Sequence, residues 1–183
     1  MPNACIHMCI FAGYAEQLTR ELFALNVSGF RIDVSSCCLS EYDQDNLEQE
    51  AMVVFLMPTY AGGAAPESGR VFAAWIKDMA QDFRVSKQWL QSTRFAVFGL
   101  GNSDYDDNWC KAARQLARAM GKCGAAQLVP LCKGDDSNDM DAQFRQWRDI
   151  LVPAICEVYV TEYGPEASSD DADVPTDGCG DCG

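Results

Sequence analysis

The segment with the richest chemistry is Phe95-Ala-Val-Phe-Gly-Leu-Gly-Asn-Ser-Asp-Tyr105. Four apolar residues stop abruptly at Gly99-Leu100-Gly101-Asn102, and a polar stretch follows. Such a buried strand ending in a tight loop is where open α/β sheets hold ligands. Glycines there let backbone amides approach a flat or anionic group, Asn102 offers a donor and an acceptor, and Tyr105 offers an aromatic face. On its own the GLGN run reads equally as a strand-to-helix turn that needs glycines, so the reading depends on what shares its edge. Two other loops qualify. Ile10-Phe11-Ala12-Gly13-Tyr14 opens a helical pattern, and a helix N-terminus favours anions. Thr59-Tyr60-Ala61-Gly62-Gly63 follows the apolar run Ala51–Met57. With Trp109 beyond Tyr105, the three loops describe a slot with aromatic walls and one phosphate-friendly end. It would suit a planar, phosphorylated cofactor. The single histidine, His7, falls inside an apolar strand pattern, and no nucleophile–base pair is visible. Asp104, Asp106, Asp107, Asp135 and Asp136 are turn acids of the kind that usually cap helices in solvent. Cofactor-borne electron transfer therefore fits better than hydrolysis.

The elements that must position these loops alternate. Apolar strand patterns are read at Ala4–Ile10, Phe30–Ser35, Ala51–Met57, Phe95–Phe98 and Gln127–Leu131. Helical periodicity is read at Ala12–Ser28, Glu67–Phe83, Asp106–Gly121 and Asp141–Val160. Alternation of this kind predicts an α/β fold: a doubly wound, five-stranded parallel sheet with helices on both faces. Residues 1–163 then form one domain, and residues 164–183, rich in Pro, Gly, Ser and Asp, an acidic disordered linker or tail.

Composition narrows the function. The 183 residues are 48% hydrophobic, with 14 Lys+Arg against 27 Asp+Glu and a net charge of −13. Seven of the acids fall from Glu162 onward, where there is no Lys or Arg, leaving about −6 for the rest. An acidic domain is a poor ligand for nucleic acid, which needs Lys and Arg at its phosphates, but it can be steered towards a basic protein. No run is long enough to span a membrane. The first basic residue is Arg20, so neither a signal peptide nor an Arg-rich presequence is expected, and a cytoplasmic location is. The ten cysteines sit mostly inside apolar patterns, as reduced thiols packed like small hydrophobes. Cys179-Gly-Asp-Cys182 has metal or redox spacing but supplies only half of a tetrahedral site, so no metal is assigned.

Pro58-Thr-Tyr-Ala-Gly-Gly-Ala-Ala-Pro-Glu-Ser68, Phe98-Gly-Leu-Gly-Asn-Ser-Asp-Tyr105, and Gly134-Asp-Asp136 ahead of Phe144-Arg-Gln-Trp147 resemble the flavodoxin-like FMN domains, such as those of diflavin reductases. Together with Asp82-Phe-Arg84 they look most like the N-terminal flavodoxin domain of the tRNA wybutosine-synthesising enzymes, the 4-demethylwyosine synthases. The resemblance covers roughly residues 4 to 158. It implies strand order 2-1-3-4-5 and FMN as cofactor. It also implies electron transfer to the iron–sulfur cluster of a radical S-adenosylmethionine domain, with an NADPH-dependent flavin reductase as donor. That catalytic half and its CxxxCxxC motif are absent from this sequence. By the same resemblance Thr59, Tyr60, Ala61, Gly62 and Gly63 would flank one side of the isoalloxazine. Leu100, Gly101, Asn102, Tyr105, Asn108 and Trp109 would flank the other, with Asp135 near the ribityl or ring edge. The phosphate would sit on Ile10, Phe11, Ala12, Gly13 and Tyr14, and here the sequence departs from the family. The usual loop runs S-x-T-G-T, and only its glycine survives. Hydroxyl contacts to a charged group contribute about 1.5–3 kcal/mol each, so losing two or three weakens binding by about a thousandfold, with the Tyr14 hydroxyl as a partial replacement. The alternative is a flavin-free interaction domain that keeps the fold, with the apolar loop filling its own phosphate pocket. A free-standing flavodoxin serving another acceptor is a third reading.

Overall fold

In the segment Met52–Pro58 (β5) every residue is buried. Its side chains alternate between two cores. Met52, Val54 and Leu56 join Leu18, Leu22, Phe98, Phe144, Trp147 and Leu151 on one face. Val53, Phe55 and Met57 join Phe72, Ile76, Phe95, Val97, Leu116 and Met120 on the other. A strand apolar on both sides must be covered on both, which is why its sequence runs continuously hydrophobic rather than alternating.

The computed structural model describes residues 5–9, 12–27, 30–31 and 33–163. Its elements are β1 (Cys5–Cys9), α1 (Ala12–Phe23), β2 (Asn26–Val27), β3 (Phe30–Arg31), β4 (Asp33–Cys37), β5, α2 (Glu67–Met79), β6 (Arg94–Gly101), α3 (Lys111–Lys122), β7 (Ala126–Gln127), β8 (Cys132–Asp135) and α4 (Met140–Tyr163). The main sheet runs β4-β1-β5-β6-β7, with β8 also paired to β6, and its pairings are parallel. α1 and α4 cover one face, α2 and α3 the other. The carboxyl ends of β5, β6 and β8 meet at one edge, where Pro58 pairs with Leu100 and Gly101 with Asp135.

The alternation of strands and helices is as expected, but several elements differ. The helix read as Ala12–Ser28 stops at Phe23, and Asn26–Val27 instead pairs antiparallel with Phe30–Arg31. Asn and β-branched Val are poor helix formers, and the pairing takes them over. The strand read as Phe30–Ser35 is therefore a small hairpin arm followed by β4. Of the fifth strand read as Gln127–Leu131 only Gln127 is in a strand: β7 ends there, residues 128–131 are irregular and β8 begins at Cys132, so the main sheet has six strands where five were expected. Pro130 lies in the gap, where a residue without an N–H cannot continue a ladder. Among the described residues no helix is long and apolar enough to cross a membrane. The backbone of His7 lies in β1; its side chain, like residues 164–183, is outside the described residues.

Candidate functional site

β6 delivers the third loop, and two of its glycines are needed for packing. A Cβ on Gly99 would lie 2.9 Å from the Cβ atoms of Ala113 and Cys110, so this glycine lets the start of α3 rest on the strand. That is a different role from the ligand approach expected of it. A Cβ on Gly101 would meet the Cys110 amide and the Trp109 ring at 3.0 Å. Asn102 then caps a 3₁₀ segment, Ser103–Asn108, its side-chain oxygen accepting from the Asp104 amide at 2.8 Å and from the Ser137 hydroxyl at 2.9 Å. Two non-glycine residues here adopt positive φ: Asp106 (φ 46°) and Cys110 (φ 48°). Such backbone costs about 1–3 kcal/mol per residue and clusters where geometry serves a ligand. It also moves the start of the helix from the expected Asp106 to Lys111.

The second loop is tied to the third. The Thr59 amide donates to the Leu100 carbonyl at 2.9 Å, and the Tyr60 amide donates to the Ala64 carbonyl at 2.9 Å. Gly62 and Gly63 take φ of 71° and 80°. A Cβ on Gly63 would lie 2.8 Å from Asn108 Oδ1, so this glycine lets the two loops touch. A Cβ on Gly62 would meet nothing within 4 Å and would point into open space.

Between the loops lies a cleft of about 450 Å³, within the usual range for small-molecule sites. Thr59, Tyr60, Ala61 and Gly62 line it from one side. Gly101, Asn102, Tyr105, Asn108 and Trp109 line it from the other, with Cys110 beside them. Tyr60 and Tyr105 are 53% and 65% exposed, although both are large aromatics. The Thr59 Oγ1 atom is buried without a hydrogen-bond partner. Trp109 is fixed by donation from its Nε1 to the Gly134 carbonyl at 3.0 Å, and the Lys133 ammonium sits 3.8 Å from the indole centroid. Cys110 was not legible in the sequence, because its place follows from a left-handed backbone that no residue pattern announces. Burial pushes its thiol up to about 12, so it stays protonated.

Outside the first loop, three expected residues do not line the cleft. Gly63 packs against Lys111 and Asn108, and Leu100 rests against the α1/α4 core. Asp135, expected at the ligand's edge, is instead buried as a clasp. Its carboxylate accepts from the Ser103 amide (2.8 Å), the Ser137 amide (3.1 Å) and Asn138 Nδ2 (2.5 Å), binding the third loop to the turn after β8. These bonds, the Ser103 amide first, hold its carboxyl at about 2, against an ordinary 3.8. The folded value lies below the unfolded one, so the clasp contributes stability above about pH 4 and loses it as pH falls towards 2. Asp135→Asn is expected to flatten that part of the stability–pH curve, as measured by urea unfolding of both proteins from pH 7 downward.

The first loop gives less. Ile10 and Phe11 lie outside the described residues. Ala12 and Gly13 form the first turn of α1. Tyr14 corrects an expectation: its hydroxyl does not stand ready for an anion but donates to Asp141 Oδ1 at 2.5 Å, and its ring packs 4.6 Å from that of Phe144. That hydrogen bond, with desolvation and the charges of Asp141, Asp136 and Asp139, raises the phenol to about 12. Tyr14→Phe is expected to cost about 1 kcal/mol of unfolding free energy, readable by chemical denaturation.

The family model described as Flavodoxin matches residues 11–147. The S-adenosyl-L-methionine-dependent tRNA 4-demethylwyosine synthase of Oryza sativa subsp. japonica is 32% identical over 142 residues, covering 77% of this chain and 21% of that protein. The synthase of Homo sapiens is 31% identical over 137 residues, covering 69% and 19%. The NADPH–cytochrome P450 reductase of Homo sapiens is 28% identical over 156 residues, covering 85% and 22%. The chain thus spans about a fifth of the length of these relatives. Among solved structures, the Fusobacterium nucleatum flavodoxin bound to flavin mononucleotide superposes with a TM-score of 0.60 at 13% identity, covering 84% of this chain and 96% of that one. A short-chain flavodoxin associated with a bacterial microcompartment gives 0.58 at 18% identity, covering 84% and 98%.

Proposed function

This chain belongs to the flavodoxin family, and on that footing we propose that its cleft holds FMN and that it carries electrons for a radical S-adenosylmethionine tRNA-modifying domain. The carrying observation is the pair Tyr60 and Tyr105, large aromatics left half exposed or more on the two loops of one cleft. A flat ring buried between them turns exposed apolar faces into contact, which gives that exposure a reason. The unpartnered Thr59 Oγ1 fits a polar edge at the same place, and the open space at Gly62 leaves room. When bound, the flavin supplies the step between a two-electron donor and a one-electron acceptor. The chain's own residues do the rest. Tyr60, Tyr105 and Trp109 orient the ring, the Asn102 amide and strand-end backbone offer hydrogen bonds, and the ties from Thr59 to Leu100 and from Asp135 to Ser103 keep the two loops apart at a fixed width.

The similarity to the synthases supports the rest of this reading. The acceptor is the iron–sulfur cluster of their catalytic domain, and the donor is an NADPH-dependent flavin reductase. Asp104, Asp106 and Asp107 at the rim steer a basic partner. Residues 1–163 form the FMN domain and residues 164–183 a linker, in a cytoplasmic protein that does not itself touch nucleic acid. Counting β7 and β8 as one interrupted strand and setting the hairpin aside, the sheet has the order 2-1-3-4-5.

One observation favours a second reading, a flavin-free interaction domain. The Tyr14 hydroxyl is committed to Asp141, with Asp136 and Asp139 close by, so the first turn of α1 is an acidic neighbourhood. The test of the main reading is electron delivery. Protein loaded with FMN and photoreduced without oxygen, with EDTA as the sacrificial electron donor, is mixed with the cluster-bearing catalytic domain of a synthase. Reoxidation of the flavin, with matching reduction of the cluster, is the expected result. A flavin that stays reduced in the presence of an intact cluster overturns the assignment of acceptor.

A further inference from the structure

Along α2 and α3, starting at Gly63 beside the cleft and running away from it, three hollows of about 190, 150 and 860 Å³ join end to end. The first two share Lys77 and Gln115, and the second and third share Ala80, Gln81 and Lys122. The furrow they form has a floor of small residues and a basic rim: Arg70, Lys77, Arg118, Lys122 and Lys87. The single acid along it, Asp82, is paired with Arg84 at 2.6 Å. In a chain with 14 basic and 27 acidic side chains, five cations facing one acid along a groove is a strong local reversal of sign. Phe83, at the wide end, is 96% exposed.

α4 packs on the opposite face of the sheet, but its end meets the edge from which β6 starts, and a short series of contacts links that edge to the wide end. Glu162 pairs with Arg94, the first residue of β6. The preceding residue, Thr93, donates its amide to Leu90, and the Leu90 amide donates to the carbonyl of Cys123, which lines the wide hollow. From this point the chain continues as residues 164–183, which carry Glu166, Asp170, Asp171, Asp173, Asp177 and Asp181 and no Lys or Arg. Twenty residues reach up to about 70 Å when extended, whereas α3, 12 residues long, measures about 18 Å. Reach, point of departure and charge all match.

We propose that residues 164–183 dock along the furrow between α2 and α3, the tail carboxylates lying against Lys77, Lys87, Arg118 and Lys122. Exposed ion pairs are weak one at a time. Four or five on a tethered segment act at high effective concentration and remain sensitive to salt. The tail thus covers a basic surface that any separate acidic partner must uncover before it binds.

The test compares the full chain with a full-length variant whose tail is neutralised: Glu166→Gln with Asp170→Asn, Asp171→Asn, Asp173→Asn, Asp177→Asn and Asp181→Asn. All six changes lie outside the described residues. Lysines are labelled briefly with an acetylating reagent, and the rate at each is read by peptide mass spectrometry. Lys77, Lys87 and Lys122 are expected to react at least about threefold more slowly in the unaltered chain, with the difference lost near 0.5 M NaCl. Lys133, beside the cleft, serves as the unaffected control. Equal rates in the two proteins overturn the proposal. Protection that grows between about 1 and 50 µM protein overturns it as well, because the occupant is then a second copy.

Discussion

Replacing Tyr60 and Tyr105 together by alanine is expected to weaken FMN binding by about thirtyfold or more while leaving the thermal midpoint within about 2 °C of the parent. Stacking of a planar base on one aromatic side chain contributes about 1–3 kcal/mol, and each factor of ten in affinity corresponds to about 1.4 kcal/mol. Loss of two walls therefore removes between about one and a half and four decades. Stability is spared because both rings are exposed, at 53% and 65%, and neither belongs to the two buried cores. Neither truncation leaves a cavity, the main reason aromatic deletions destabilise proteins. Flavin fluorescence titration and a thermal melt of the double variant check the two halves of this expectation. Unchanged affinity would mean that the aromatics are not the walls of the site.

The largest effect on folding is expected at Gly124. Its φ of +98° is one that L side chains rarely adopt, and a Cβ there would lie 2.5 Å from the Lys87 carbonyl oxygen and 2.9 Å from Gln88 Cα. Both are backbone atoms and cannot swing aside. They belong to the connector that α3 meets at its end, where Leu90 donates to Cys123 at 2.8 Å. Gly124→Ala should cost about 3 kcal/mol from strain and overlap together, a fall in midpoint of about 6–12 °C for a chain of this size. Gly121, three residues earlier and inside α3, makes the control. A Cβ there meets nothing within 4 Å, so Gly121→Ala is expected to stabilise by about 0.5–1 kcal/mol. Differential scanning calorimetry of the two variants beside the parent separates a left-handed glycine from an ordinary helical one.

What could be read ahead of the structure was whatever depends on local pattern. β5 announced itself because a strand buried on both faces has no polar residue to interrupt it. Tyr60, Asn102, Tyr105 and Trp109 could be assigned to one rim because parallel strands put all their carboxyl ends on the same side, and the cleft gathers all four. What could not be read depends on contacts between distant segments. Asp135 looked like a ligand contact, but whether a carboxylate meets a ligand or the amides of Ser103 and Ser137 is decided by a loop 32 residues away. Tyr14 looked like a spare hydroxyl until α4 brought Asp141 to it, 127 residues along the chain. The start of α3 was misplaced because Asp106 and Cys110 adopt positive φ without being glycine, so the turn carries no compositional mark. The hairpin of β2 and β3 was missed for a related reason: two-residue strands are too short for periodicity to register.

The central claim is that one rim of this sheet holds a flavin ring even though the hydroxyls that normally grip the phosphate are missing. Titrating the purified chain into FMN and following flavin fluorescence tests it most directly. The account predicts quenching that saturates at one flavin per chain, as the ring enters the space between Tyr60 and Tyr105. Fluorescence that stays at the level of free flavin through a large excess of protein would contradict it.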